Sequence, residues 1–214
     1  MNPYKRHSRQ RGFTLTELLM VVFLLSLIVG ALFSQIERAQ VRYRVEDQKV
    51  DLTQQEREFI DQFTRDLHQA GFPSVKTAGP AATANQVAVG LVSISGTDLV
   101  MEGDVDGDGN VETVEYSYFD GAGWAGPGPN PCPCIRRSSL AKGAAGPATS
   151  YTEVQNVIGT SFFTPLNSTG QVATDLPSTK AVQITLTTQG TTQDNDAHKS
   201  IQVTMTGIAR LVNN

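Results

Sequence analysis

The hydrophobic pattern of this chain changes character twice. From Phe13 to Phe33 nearly every position is apolar, and Glu17 is the one ionisable group in those 21 residues. About 20 apolar residues suffice for a helix to cross a bilayer core. From Ser34 to Ala70 charged and amide side chains dominate, with no Pro or Gly. At about 100° per residue, Val41, Val45, Leu52, Phe59, Phe63 and Ala70 fall on one arc, with Ile60 and Leu67 beside it. The pattern predicts one helix from Phe13 to Ala70, apolar all round in its first half and amphipathic in its second. Gly71-Phe72-Pro73 stops it, a glycine just past the end and then a proline. Gly30 is a candidate bend, since glycine weakens a helix interior by about 1 kcal/mol. The stripe on the second half calls for a partner, either another helix or a sheet of the same chain.

Beyond Pro73 the period falls to two. Residues 73–86 read as a polar loop, and 87–94, 97–101 and 111–119 read as strands, with Val114, Tyr116 and Tyr118 on one face. Residues 97–119 therefore predict a hairpin. Residues 120–150 are rich in Gly, Pro, Ala and Ser and read as a long irregular insertion. Tyr151 to Phe163 reads as the start of a second half of the sheet, with Val154, Val157, Ile158, Phe162 and Phe163 as core. Residues 181–187 and 201–208 alternate cleanly, and the polar link 188–200 makes them a second hairpin. The fold class is α+β: a long N-terminal helix packed on an antiparallel sheet.

Charge sets the orientation of the apolar segment. Lys5, Arg6, Arg9 and Arg11 precede it with no acid among them, so the leader stays in the cytoplasm and the remainder is exported. A secretory signal peptide would place small residues at a cleavage site after the apolar run. Gly30-Ala31 is a poor match, and a helix-forming segment follows. A charge at the centre of a membrane helix costs about 2.5–3.5 kcal/mol, so an intramembrane acid such as Glu17 calls for a function. Without the four bases of the leader, 13 bases face 21 acids, a formal charge of −8. A nucleic-acid-binding surface would be basic, so that class is excluded. The sequence has no Ser-His-Asp set, zinc spacing or phosphate loop, and its three histidines are isolated. It does not read as an enzyme.

Arg11-Gly12-Phe13-Thr14-Leu15-Thr16-Glu17-Leu18, with the basic leader and the uncut apolar run, resembles the processing motif of type IV prepilins and pseudopilins. The resemblance implies cleavage between Gly12 and Phe13 by a prepilin peptidase on the cytoplasmic side, then N-methylation of Phe13. Glu17 becomes the fifth mature residue and neutralises the Phe13 amine of a neighbouring subunit. The implied fold is the type IV pilin fold. Its expected divisions are a leader (1–12), a transmembrane and assembly half-helix (13–33), an amphipathic half-helix (34–71) and a periplasmic β-rich domain (72–214). Phe59 to Phe72 resembles the end of the long helix in PilW-type minor pilins, where Arg-Asp-Leu/Ile-x-x-Ala-Gly recurs, and more loosely the J-type pseudopilin of type II secretion. Ile208 to Asn214 resembles the arginine- and asparagine-containing PilW-like tail. There Arg65 and Asp66 are expected on the polar flank, Phe63 and Leu67 in the core, and His68 in solvent. The implied function is a minor pilin that primes pilus assembly and sits at the tip. Its implied partners are other minor and major pilins, the prepilin peptidase and the inner-membrane assembly platform. The implied location is the bacterial inner membrane, then the pilus surface. A J-type pseudopilin and a pilin-anchored adhesive module are the alternatives.

Two further features carry candidate chemistry. Residues 104–115 satisfy D-x-[DN]-x-[DN]-G-x5-E, with Asp104, Asp106, Asp108 and Glu115 as candidate calcium ligands. A backbone carbonyl near Asn110 would add an oxygen. The flanks read as strands rather than EF-hand helices, and Asp-Gly pairs also suit a plain hairpin turn. Both readings stand at this point. Cys132 and Cys134 are the only cysteines. An oxidising compartment favours a bridge, and a Cys-x-Cys ring is small and labile. Free thiols, an intermolecular bridge and metal ligation are the alternatives. Trp124 reads as an anchor of the surrounding loop.

Overall fold

A computed structural model describes residues 12–122, 130, 132–145, 148–194 and 199–213. The chain divides into two compact units, residues 1–44 and 45–214. One helix, α1 (Leu15–Gln69), supplies the described helical residues of the first unit and the first element of the second. Helical structure runs through Gly30 without interruption. In the first unit the large apolar side chains from Phe13 to Phe33 are all exposed. By length and composition this part of α1 suffices to cross a membrane.

The second unit is the α+β domain. Its five-stranded antiparallel sheet has the order β1 (Leu91–Ile94), β2 (Asp98–Gly103), β3 (Glu112–Phe119), β4 (Cys134–Ala141) and β5 (Thr149–Gln155). A three-stranded antiparallel sheet follows: β6 (Phe163–Leu166), β7 (Ala181–Asp194) and β8 (Lys199–Arg210). The expected 97–119 hairpin is present, with Leu99 opposite Tyr116 and Gly103 opposite Glu112.

Three sequence expectations are corrected. Residues 120–150 are not one irregular insertion, because β4 lies inside them and pairs with β3 and β5 along its length. Its pattern was hidden because two arginines occupy the middle of an interior strand. Their charges are met by partners from elsewhere: Asp66 for Arg137, and the Phe119 ring for Arg136. Secondly, β5 belongs to the first sheet, so only Phe163 onward begins the second. Thirdly, the link 188–200 is mostly strand, because β7 runs to Asp194 and β8 begins at Lys199.

The helical stripe finds a sheet partner in its own chain. Leu52, Phe59, Phe63, Leu67 and Ala70 are buried, and full burial of a Leu or Phe side chain stabilises by about 1.5–3 kcal/mol. Phe59 and Phe63 pack edge-on against Tyr116 of β3, and Phe63 stacks with Phe163 of β6 at 5.7 Å. One helical face thus contacts both sheets. Gly207 of β8 lies under Ile60, where an added Cβ would fall 2.7 Å from the isoleucine. At the helix end Gly71 takes φ +82°, and its N–H donates to the Glu102 carbonyl at 2.8 Å.

Asp66 departs from its expected place on the polar flank. It is 2 % exposed and sits in the core between the helix and the first sheet. Arg65 and His68 are exposed, as expected.

Candidate functional site

The processing segment sits at the start of α1. Gly12, Phe13 and Thr14 are non-helical and exposed, so the Gly12–Phe13 peptide bond lies outside helical hydrogen bonding. Among the described residues nothing approaches within 4 Å of a Cβ built on Gly12. Thr14 and Glu17 cap the helix reciprocally. The Thr14 N–H donates to Glu17 Oε2 at 3.0 Å, and the Glu17 N–H donates to Thr14 Oγ1 at 3.3 Å. The Thr14 hydroxyl also donates to Glu17 Oε2 at 3.0 Å. This is a capping box, in which two otherwise unpaired N–H groups are satisfied by side chains. The signal for it, Thr-x-x-Glu before an apolar run, stands in the sequence beside the reading of Glu17 as an intramembrane acid. Glu17 therefore has a local role before any neighbour is considered: it helps satisfy the N–H groups that begin the apolar helix.

The aspartate loop joins β2 to β3. One carboxylate oxygen from each of Asp104, Asp106 and Asp108 lies within 4.8 Å of the others. The loop also binds itself. Asp104 accepts from the N–H groups of Gly107 (2.7 Å) and Gly109 (3.0 Å), Asp106 from that of Asp108 (3.0 Å), and Asp108 from that of Asn110 (2.7 Å). The last bond holds the Asp108 carboxyl below its usual range. Glu115, expected as a fourth ligand, is exposed and does not join the group. Side chains alternate along β3, so Glu112 and Glu115 point to opposite faces. Glu112 is the carboxylate the fold brings to the loop. It is buried, accepts from the Val105 N–H at 3.1 Å, and is pushed up first by burial and then by the three aspartates.

Cys132 and Cys134 are joined in a disulfide. Cys134 begins β4 and is fully buried, whereas Cys132 is half-buried just ahead of the strand. The Arg136 guanidinium reaches Cys132 Sγ at 3.9 Å and lies 3.7 Å over the Phe119 ring centroid. Asn130 accepts from the Cys132 N–H at 3.0 Å and donates to the Gly121 carbonyl at 2.8 Å. Trp124 lies outside the described residues.

Two buried polar sites were not legible in the sequence. Asp66 Oδ2 accepts from the Tyr116 hydroxyl at 2.7 Å and from Arg137 Nε at 2.6 Å, and Oδ1 accepts from Gln62 at 2.7 Å. Burial and the Asp66 charge both hold the Tyr116 hydroxyl protonated. Glu56 is wholly buried; Oε1 accepts from the Thr188 hydroxyl at 2.8 Å, and Oε2 has no partner among the described residues. Burial pushes the Glu56 carboxyl up, and the bonds from Thr188 oppose this. Both acids lie on the apolar stripe, and apart from Gln62 on the same helix their partners come from β3, β4 and β7, far away in sequence. These groups have the character of core fasteners: they are enclosed, and their hydrogen bonds join the helix to the sheets.

No curated protein and no solved structure matches the chain. Residues 7–33 match the family model described as the prokaryotic N-terminal methylation motif. That segment holds the Gly12–Phe13 junction, the Thr14–Glu17 cap and the exposed apolar helix, and it is the N-terminal motif characteristic of type IV prepilins and pseudopilins.

Proposed function

We propose that this protein is a PilW-like minor pilin. It joins other minor pilins in the inner membrane, primes assembly of the fibre and sits at its tip. The observation that supports this best is the methylation motif, continuous with a helix that is apolar all round and then folds its amphipathic half onto its own sheets. The leader is removed between Gly12 and Phe13 by a prepilin peptidase, and Phe13 is methylated. Assembly then packs the apolar helix against those of neighbouring subunits. In this reading Glu17 meets the Phe13 amine of a neighbour, because a buried amine and a buried carboxylate each need a counter-charge. The Arg65-Asp66-Leu67 helix ending supports the PilW-like assignment over the J-type pseudopilin. Deleting the chain in its own host tests the choice. Loss of surface pili with protein secretion intact is expected; loss of secretion with pili intact would assign it to a secretion system instead.

A second reading concerns the aspartate loop. Convergence of three carboxylates within 4.8 Å supports calcium binding at Asp104, Asp106 and Asp108, with Glu112 rather than Glu115 beside them. Binding confined to the folded state adds about 2.7 kcal/mol at a hundredfold excess over Kd. The full chain in detergent should melt higher in calcium than in chelator. Asp106→Ala should abolish the difference, and Glu115→Gln should leave it. Equal melting in both conditions would return the loop to a self-capped hairpin turn.

A further inference from the structure

The Cys132–Cys134 bridge does little structural work that its surroundings do not already do. The stabilisation a disulfide draws from the unfolded chain grows with the length of the loop it closes, and this one links residues two apart. The segment is held without it. Cys134 is paired with Phe119 and Gln155 in the sheet, the Pro133 carbonyl accepts from the Val157 N–H at 3.0 Å, and Asn130 accepts from the Cys132 N–H. The two sulfurs also differ. Cys134 is enclosed in the core, whereas Cys132 is only half-buried among the described residues and has a guanidinium against its sulfur. A cation beside an accessible sulfur favours the thiolate, and an apolar enclosure disfavours it. The Arg136 side chain is itself anchored on the Phe119 ring.

From this asymmetry we propose that Cys132-Pro133-Cys134 is a thiol–disulfide exchange site, with Cys132 the sulfur that external thiols and disulfides meet. In the forward direction the thiolate of a small or protein thiol attacks Cys132 Sγ. A bond forms between the incoming sulfur and Cys132, the Cys132–Cys134 bond breaks, and its electron pair leaves on Cys134, which takes up a proton. A second thiol then attacks the mixed disulfide, releasing Cys132 as a thiolate beside Arg136 and oxidising the incoming pair to a disulfide. The reverse sequence reduces an external disulfide, with Cys132 as nucleophile and Cys134 as resolving thiol. The substrate class is thus a thiol or dithiol in the compartment that holds the folded domain.

The test uses the full chain in detergent, with glutathione as the thiol. Millimolar reduced glutathione at neutral pH should open the bridge while the circular dichroism of the protein is unchanged. Peptide mass analysis after acid quenching should find the glutathione adduct on Cys132. In a Cys134→Ser background, Arg136→Gln should slow alkylation of Cys132 at pH 7 by about tenfold and move its pH profile upward. Three results would overturn the proposal: a bridge that resists glutathione until the protein is denatured, an adduct confined to Cys134, or an alkylation profile that ignores Arg136. The wild-type reduction and adduct mapping require no substitution, so misfolding of a variant does not decide the matter.

Discussion

Three acidic residues on one helix are treated in three ways. Glu17 is exposed and caps the helix start, Asp66 is buried and matched by Arg137 and Tyr116, and Glu56 is buried and half matched by Thr188. Removing one member of a buried ion pair costs about 3–5 kcal/mol, because the other charge is left without a partner. Asp66→Ala should therefore lower stability by roughly that amount in urea titrations of the full chain in detergent. Tyr116→Phe removes one hydrogen bond to a charged group and should cost about 1.5–3 kcal/mol. A loss below 1 kcal/mol for Asp66→Ala would mean that Arg137 regains solvent easily. Glu56 makes stability depend on pH. Its carboxyl is raised in the folded state, so that state holds the proton more tightly. The contribution is fully present below the unfolded pKa, about 4.3, and is lost as pH rises through the raised folded value. Glu56→Gln keeps the hydrogen-bonding shape without the ionisation. It should flatten the fall of Tm with pH above the unfolded value and leave the variant more stable than wild type once the pH has passed the raised folded value. Parallel Tm curves for the two proteins would show that Glu56 does not ionise in this way. Neither acid could be placed from sequence, since a polar residue on an apolar stripe is indistinguishable from a break in it until its distant partner is known.

At the scale of elements, the sequence was informative wherever the signal was local. The helix ends at Gln69, one residue before the end read from Gly71 and Pro73, and the β2–β3 hairpin matches the alternation of Val114, Tyr116 and Tyr118. It failed at β4, where Arg136 and Arg137 broke the alternation and their partners lie on β3 and α1. The aspartate motif is legible in the sequence, but the EF-hand spacing does not say which carboxylate comes to the loop when strands take the place of its helices. A following strand turns Glu115 to the opposite face from Glu112. The junction of the helix end with β2 depends on a missing side chain. A Cβ on Gly103 would stand 2.5 Å from the Gln69 carbonyl oxygen, and backbone cannot step aside as a flexible side chain can. Gly103→Ala should cost about 1–3 kcal/mol, the range for overpacking, as a lower midpoint in chemical denaturation. An unchanged midpoint would mean that the helix end is free to shift away from β2.

The whole molecule presents two surfaces with different requirements. The domain of residues 45–214 buries its own helical stripe against its sheets. The first unit leaves its large apolar side chains from Phe13 to Phe33 exposed, which calls for lipid or other apolar helices around them. That contrast, together with the methylation motif over residues 7–33, underlies the reading of a subunit that is stored in a membrane and moves into a fibre. The claim rests on where the mature chain begins. Intact-mass and N-terminal peptide analysis of the protein from the membrane fraction of its own host measures this directly. The account predicts a first residue of Phe13 carrying one methyl group, with the apolar helix retained, and an uncleaved chain when Gly12 is replaced by a bulky residue. A mature start beyond residue 30, or a wild-type chain that keeps its leader intact, would contradict it.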